Sequence, residues 1–145
     1  DTSGCMMLTN DVKKALAYTD LVLLDIKHLD TKKHQELTGI TNANVFKFAH
    51  YLQEKPIKTW LRYVIVEGFT QDLAYAERLA TYVQALGCVE IVELLPYHDL
   101  GQYKWQEMGY QYSLKGVKSP TKETMQQIKS IFEAKGLKTL GNALS

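Results

Sequence analysis

The sequence predicts an α/β fold in which parallel strands alternate with helices. Short runs rich in apolar and β-branched residues alternate along the 145-residue chain with longer stretches whose apolar residues recur at helical spacing. This order is typical of βα units around a parallel sheet. We expect three strong strands at residues 21–27, 58–66 and 89–95, a short strand end at the start of the chain, and helices on one side of the sheet.

Two segments predict helices most clearly. Asp72 suits the N-cap of the first, and Gly87 suits the left-handed position after its last turn. Between them, apolar residues recur at steps of three and four: Leu73, Ala76, Leu79, Val83 and Leu86. The second is predicted to have Ser119 as N-cap and Pro120 in its first turn, and to end near Gly136. Its apolar face consists of Met125, Ile128, Ile131 and Phe132.

Weaker patterns predict three more helices and one long loop. We expect helices at residues 11–18, at residues 31–37, and from Asn44 to a point before Pro56. The segment 97–118 shows no clear period and contains three glycines and several aromatic residues, so we expect a long functional loop there. Since no linker interrupts the chain, residues 1–145 are interpreted as one domain or part of one.

Composition excludes several classes of function. The 17 basic and 16 acidic residues give a net charge of +1, which lacks the positive surface expected of a nucleic-acid binder. The apolar runs are far too short to span a membrane. No secretory signal is visible, and a chain that opens on Asp1 is interpreted as a piece of something longer. Cys5 and Cys88 form no C-x-x-C pair, so a reducing cytoplasm is the expected location.

Charged residues interrupt two of the predicted strands. Asp25 and Lys27 share a face at the carboxyl end of the first strand, where parallel sheets bind their ligands. They are either a structural ion pair or part of a ligand site. Arg62 lies within an apolar strand and needs an anion, for which a ligand carboxylate is suitable. The alternative is an edge strand from which Arg62 reaches solvent.

Two other positions are candidates for chemistry. His98 follows a predicted buried strand and could donate a hydrogen bond, relay a proton or bind a metal, or simply be solvated. Residues 1–4 (DTSG) offer oxygen atoms suited to a hard cation or to ligand hydroxyls, although turns have the same composition.

One short pattern suggests a decarboxylase. Asp25, Lys27 and Asp30 match the D-x-K-x-x-D pattern of the orotidine-phosphate decarboxylase group, barrel enzymes in which an Asp/Lys array protonates a carbanion. That group also needs a glycine-rich phosphate site near its last strands, and none follows Leu95. We therefore keep this as a distant alternative.

A second likeness covers almost the whole chain. Five blocks occur in order at plausible spacing: residues 21–27 (LVLLDIK), 61–70 (LRYVIVEGFT), 93–101 (ELLPYHDLG), 104–109 (KWQEMG) and 116–125 (GVKSPTKETM). In these blocks the sequence resembles the pyruvate formate-lyase activating enzymes of the radical S-adenosylmethionine superfamily. The resemblance implies the carboxyl-terminal half of a partial (β/α)6 barrel.

The resemblance also implies a chemistry for the full-length enzyme. A 4Fe–4S cluster, held by the three cysteines of a C-x3-C-x2-C loop, binds S-adenosylmethionine, and an electron donor such as flavodoxin reduces it. Cleavage yields a 5′-deoxyadenosyl radical, which removes hydrogen from a glycine of pyruvate formate-lyase. By resemblance, the positions that contact S-adenosylmethionine are Lys27, Arg62 and His98. Those of an adjacent monovalent-cation site are Asp1, Thr2, Asp25 and the backbone of Leu23.

The sequence departs from the family pattern in one respect. It contains neither the three-cysteine loop nor the glycine-rich stretch of the second βα unit, and a cluster needs thiolate ligands. We therefore expect a carboxyl-terminal portion of an activase that is inactive alone. The alternative is a cluster-free module that binds the lyase or a nucleoside without catalysis.

Two contact surfaces are expected. Loss of the first strands would expose a sheet edge and an apolar face, which predicts self-association, and a monomer by light scattering would contradict it. The candidate lyase contacts are Tyr103, Trp105, Tyr110 and Tyr112. These aromatic residues could equally cover the end of the core.

Overall fold

The sheet has four parallel strands in chain order. The computed structural model describes residues 1–112 and 114–141; the predicted domain's last four positions and Ser113 of the predicted loop lie outside this part. The strands pair in the order β1-β2-β3-β4, and Thr2 adds a single parallel bridge to Leu24 as the expected strand end. Their bounds are β1 (Leu21–Asp25), β2 (Lys58–Ile65), β3 (Val89–Pro96) and β4 (Thr139–Leu140). The predicted α/β class is confirmed. β4 was not predicted, because two residues are too few to show a period.

Six helices connect or follow these strands in the described part of the chain. They are α1 (Asn10–Ala17), α2 (Thr31–Thr38), α3 (Ala43–Gln53), α4 (Leu73–Leu86), α5 (Gln102–Glu107) and α6 (Lys122–Ala134). α4 packs against α3, α6 and β3, and α6 packs against β3 and β4. Across the described residues, no helix has the length and apolar composition that a membrane span requires.

The helices cover one face of the sheet. Along β2, Leu61, Tyr63 and Ile65 are buried beneath the helices, whereas the alternate residues Trp60 and Arg62 are only partly buried. β1 shows the same alternation, and in β3 Val92 and Leu94 are likewise buried. The opposite side of the sheet, here called the open face, carries the alternate residues of the three strands. The prediction of helices on one side is therefore confirmed.

Helix ends test the predicted caps. Asp72 caps α4 as expected, since its Oδ1 accepts a hydrogen bond from the Tyr75 amide at 2.8 Å, and Gly87 follows in the left-handed region with φ +67°. The N-cap predicted for α6 was wrong, whereas its predicted end near Gly136 is confirmed, since Lys135 is the C-cap. Its N-cap is Thr121, whose hydroxyl accepts from the Thr124 amide at 3.1 Å, so Ser119 and Pro120 precede the helix.

Two other segments differ from the prediction, each for its own reason. α3 has Asn42 rather than Asn44 at its N-cap position, and the Asn42 amide donates to the His28 and Leu29 carbonyls at 3.1 and 2.8 Å. Asn44 instead donates to the Cys5 carbonyl at 3.1 Å. The predicted loop at 97–118 contains α5, which has no buried residue and hence no apolar periodicity to reveal it.

His28 belongs to the helix side of the sheet. Only 2% of it is exposed, and its ring stacks on Tyr75 with centroids 4.3 Å apart. Nδ1 accepts a hydrogen bond from the Asp30 amide at 2.9 Å. Burial, and secondarily the charge of Lys33, lowers the pKa of the His28 imidazole below its ordinary value of 6.5. Both effects disfavour the charged imidazolium in the folded protein.

We expect this imidazole to make stability depend on pH. The unfolded chain takes up a proton at His28 more readily than the folded protein does. The contribution of His28 to the free energy of unfolding is therefore complete above the ordinary histidine pKa of 6.5 and is lost as pH falls below it. The free energy of unfolding in urea, measured at about pH 7.5 and about pH 5.5, should fall less in His28→Phe than in the original chain. Exposed His50 provides the control, and His50→Gln should retain the original fall. An equal fall in all three proteins would contradict this role for His28.

Candidate functional site

A row of alternating charges crosses the open face. The strand register places Asp25 of β1 beside Arg62 of β2, and Arg62 beside Glu93 of β3. Laterally paired residues of adjacent strands point to the same side of the sheet. The row lies near the carboxyl ends of the strands, because Asp25 is the last residue of β1. Parallel sheets bind ligands at this edge.

Arg62 lies at the centre of a network of carboxylates. Its Nε donates to Glu93 Oε2 at 3.0 Å, and its Nη1 donates to Asp1 Oδ2 at 2.6 Å. Nη1 also lies 3.9 Å from Asp25 Oδ2. Since β2 runs between β1 and β3, the alternative of an edge-strand arginine is wrong. The anion that the sequence required for Arg62 is supplied from three parts of the chain.

Lys27 extends this network beyond the end of β1. Its Nζ lies 3.1 Å from Asp25 Oδ1, so the ion pair offered by the sequence as one alternative is present. The Asp25 side chain is 14% exposed and that of Lys27 37%, which leaves the lysine accessible from solvent. An ion pair at this edge does not exclude a ligand, because the ammonium group has further hydrogens to donate.

The network contains more acidic than basic side chains. Three carboxylates, from Asp1, Asp25 and Glu93, face two cations, from Lys27 and Arg62, which leaves one negative charge. A bound monovalent cation would balance that charge. The Asp25, Glu93 and Arg62 side chains are 14%, 26% and 27% exposed, so water and salt screen their charges incompletely.

The four positions expected to bind a monovalent cation lie together at this edge. The Thr2 amide donates to the Leu23 carbonyl and the Asp25 amide to the Thr2 carbonyl, each at 2.9 Å. The Thr2 hydroxyl accepts from the Gly4 amide at 3.0 Å, while Asp1 binds Arg62. All the potential ligands are oxygen atoms, as hard cations prefer. Among the described residues, however, no three His, Cys, Asp or Glu side chains are arranged to hold a metal ion.

His98 is not part of the network. It follows β3 at the same edge of the sheet and is exposed. Within the described part of the chain it makes no hydrogen bond or ion pair with Asp25, Lys27 or Arg62. Its expected contact with S-adenosylmethionine stays a prediction.

Asp30 does not join Lys27 in the way that the decarboxylase pattern requires. Its Oδ1 accepts from the Lys33 amide at 3.1 Å, and it is the N-cap of α2. This hydrogen bond lowers the pKa of the Asp30 carboxyl. The pattern D-x-K-x-x-D is explained here by a strand end followed by a helix cap.

Glu93 is a site residue that sequence reasoning missed. It interrupts an apolar strand just as Arg62 does, and it is one of the alternate residues of β3 that lie on the open face. That interruption was a usable signal, but only the register shows that Glu93 and Arg62 are lateral neighbours.

A feature for which the sequence offered no signal lies on the helix side: a cavity of about 570 Å³ is lined by His28, Phe69, Gln71, Tyr75 and several charged residues. The sequence assigned no role to His28.

The cysteines do not suit an iron–sulfur cluster. Cys5 follows the bridge at Thr2 towards the carboxyl edge of the sheet, and Cys88 precedes β3 at the amino edge. Both thiols are free, and burial raises the pKa of the Cys88 thiol, which disfavours the thiolate that binds iron. Two thiols at opposite edges cannot supply three ligands to one cluster.

Comparison with curated proteins finds close relatives. No family model matches the chain. It is 45% identical to the pyruvate formate-lyase 1-activating enzyme of Escherichia coli K12, over 97% of this chain and 57% of that protein. It is 39% identical to the pyruvate formate-lyase-activating enzyme of Listeria monocytogenes, over 86% of this chain and 50% of that protein. For the enzyme of Staphylococcus epidermidis the identity is 41%, over 76% and 44%.

Solved structures share the fold. A domain of a pyruvate-formate lyase-activating enzyme from Bacteroides vulgatus matches 97% of this chain and 78% of that chain, with a TM-score of 0.79 at 23% identity. A radical SAM methyltransferase from Sphaerobacter thermophilus matches 91% of this chain and 37% of that chain, with a TM-score of 0.67 at 16% identity. These structures confirm the fold, and the sequence identities confirm the resemblance: this chain is a homologue of the pyruvate formate-lyase activating enzymes, and it spans about half the length of the curated relatives it matches.

Proposed function

We propose that this chain forms the part of an activase that binds the carboxylate side of S-adenosylmethionine. The whole protein would generate the glycyl radical of pyruvate formate-lyase. The observation that carries the proposal is the charged row Asp25–Arg62–Glu93, with Lys27 and Asp1 at its margin, on the open face of the sheet. The relatives named as pyruvate formate-lyase activating enzymes support the same conclusion.

Arg62 is suited to bind the carboxylate of the ligand. A guanidinium group presents its donors in a planar fork that matches a carboxylate. Among the described residues, the hydrogen bonds of Arg62 use Nε and Nη1, so Nη2 is left for a ligand. Lys27, at the accessible edge, would donate to a second carboxylate oxygen or to a hydroxyl.

A monovalent cation beside Arg62 would complete this site. We propose Asp1, Thr2, Asp25 and the Leu23 carbonyl as its ligands. Two observations support this: the network carries one excess negative charge, and these four residues supply only oxygen atoms. Such a cation would compete with Arg62 for the Asp1 carboxylate and would thereby release Nη1 towards the ligand.

The redox part of the reaction belongs to groups outside this site. In the whole protein, a 4Fe–4S cluster would supply the electron that cleaves S-adenosylmethionine. The two cysteines do not fit that cluster, so we derive no step through it. A flavodoxin as electron donor and a cytoplasmic location stay predictions.

The aromatic residues after β3 are proposed to contact the lyase. Tyr103, Trp105 and Tyr110 are 54%, 43% and 63% exposed, and no residue of α5 is buried. These three side chains therefore do not cover the core. Tyr112 differs, because its hydroxyl lies 2.8 Å from that of buried Tyr97. Exposed aromatic residues are frequent at the centre of protein interfaces.

A cluster-free binding module is the second candidate function. The specific observation in its favour is that Cys5 and Cys88 lie at opposite edges of the sheet. We expect the 145-residue chain, after anaerobic incubation with iron and sulfide, to retain no stoichiometric cluster. Iron and sulfide analysis after gel filtration measures this. Retention of about four irons per chain would show that our interpretation of the cysteines is wrong.

We expect Arg62→Ala to weaken binding of S-adenosylmethionine by about tenfold to a hundredfold, because a charge-assisted hydrogen bond contributes about 1.5–3 kcal/mol. Arg62→Lys should recover only part of the affinity, because an ammonium group lacks the fork. Titration calorimetry or nuclear magnetic resonance on this chain measures the dissociation constant.

Arg78 offers a matched control for that experiment. It is the other arginine of the chain, is exposed, and lies on the helix side in α4. Arg78→Ala should bind S-adenosylmethionine as the original chain does. If Arg62→Ala and Arg78→Ala bind equally well, the open face is not the ligand site.

We expect Trp105→Ala to weaken binding to purified pyruvate formate-lyase by about tenfold, as is usual for an aromatic side chain that becomes buried in an interface. Surface plasmon resonance with immobilised lyase measures the affinity. Tyr18 is 91% exposed in a different part of the chain, after α1, so Tyr18→Ala should bind as the original chain does. Unchanged binding of Trp105→Ala would exclude this aromatic surface.

A further inference from the structure

We infer that Glu93 is a positioning residue that orients the guanidinium of Arg62 towards the ligand carboxylate. The inference rests on the proposed function of Arg62 and adds a residue to which the family resemblance gave no role. It depends on one contact, the hydrogen bond from Arg62 Nε to Glu93 Oε2 at 3.0 Å.

The sheet itself fixes this contact. Arg62 and Glu93 are register partners on β2 and β3, so the backbone ladder sets the spacing of their Cα atoms. Their side chains are only 27% and 26% exposed. A charged hydrogen bond that is partly shielded from water is stronger than one between free surface groups.

The other strong partner of Arg62 is held less firmly. The Asp1 side chain is 55% exposed and lies outside the named strands. Asp1 is also a proposed cation ligand, and a bound cation would draw its carboxylate away from Arg62. Glu93 is not among the proposed ligands of the cation. Its hydrogen bond with Arg62 would therefore persist when Asp1 binds the cation instead of Arg62.

The choice of nitrogen decides how a ligand can approach. Glu93 occupies Nε, the nitrogen next to the aliphatic part of the side chain. With Nε occupied, the two remaining nitrogens form the end of the fork, and a carboxylate can bind both of them. Glu93 thus selects an end-on approach to Arg62.

Nuclear magnetic resonance can test the ordering of Arg62 without any ligand. The chain has two arginines, so its Nε–H signals report Arg62 and, as an internal reference, exposed Arg78. In Glu93→Ala the heteronuclear NOE of the Arg62 Nε–H should drop to the level of Arg78. Glu93→Gln keeps an acceptor of the same shape and should give an intermediate value.

The second measurement is titration with S-adenosylmethionine. We expect Glu93→Ala to weaken its binding about fivefold, and Glu93→Gln to restore part of the affinity. Glu90→Ala is the matched control, since Glu90 is an exposed glutamate of the same strand. It should leave both the NOE and the affinity unchanged, and overlay of amide spectra checks that every variant is folded.

Each outcome decides between the two claims. An Arg62 Nε–H that stays rigid in Glu93→Ala overturns the inference, whatever the ligand does. A mobile Arg62 with undiminished affinity also overturns it, because the order would then serve no ligand. If S-adenosylmethionine moves no Arg62 signal in the original chain, the proposed function fails, and the NOE still decides whether Glu93 orders Arg62.

Discussion

The register of three parallel strands is the constraint on which the rest of the structure depends. A slip of one residue in β2 would turn Arg62 towards the helices and Leu61 towards the open face. Burying an unpaired guanidinium costs several kcal/mol. Burial of Leu61, Tyr63 and Ile65 against the helices sets the register of β2. The same register places Arg62 on the open face, beside Asp25 and Glu93. The packing of the core and the geometry of the site therefore both follow from the pairing of β2 with β1 and β3.

The carboxyl end of β2 is held in place from the helix side. Tyr63 donates its hydroxyl hydrogen to the Thr70 carbonyl, and the Thr70 hydroxyl donates to the Val64 carbonyl at 2.7 Å. The same hydroxyl accepts from the Val66 amide at 2.8 Å. These bonds tie the turn after β2 back to the strand, close to the charged row. Tyr63 in turn packs against Phe132 of α6, with ring centroids 5.7 Å apart.

The sequence predicted what depends on local pattern. The two-residue period of a strand placed Asp25 and Lys27 on one side, and Asp72 with Gly87 marked both ends of α4, because these signals act within a few residues. It could not predict that Asn42 binds the carbonyls of His28 and Leu29, because the contact spans 13 or 14 positions and depends on how α3 docks. The same holds for Glu93. Its charge was visible in the sequence, but its pairing with Arg62, 31 positions away, follows from the register between β2 and β3.

The charge pairs of the open face reconcile stability with the proposed ligand binding. A lone guanidinium in the middle of a strand would destabilise the fold, whereas a fully paired one would have no donor left for a ligand. Arg62 is held firmly at Nε by a strand neighbour and more loosely at Nη1 by the exposed Asp1. The carboxylate of a ligand can then take the place of the Asp1 carboxylate at Arg62, so no unpaired charge has to be desolvated. The arrangement keeps Arg62 neutralised before binding and still allows the exchange.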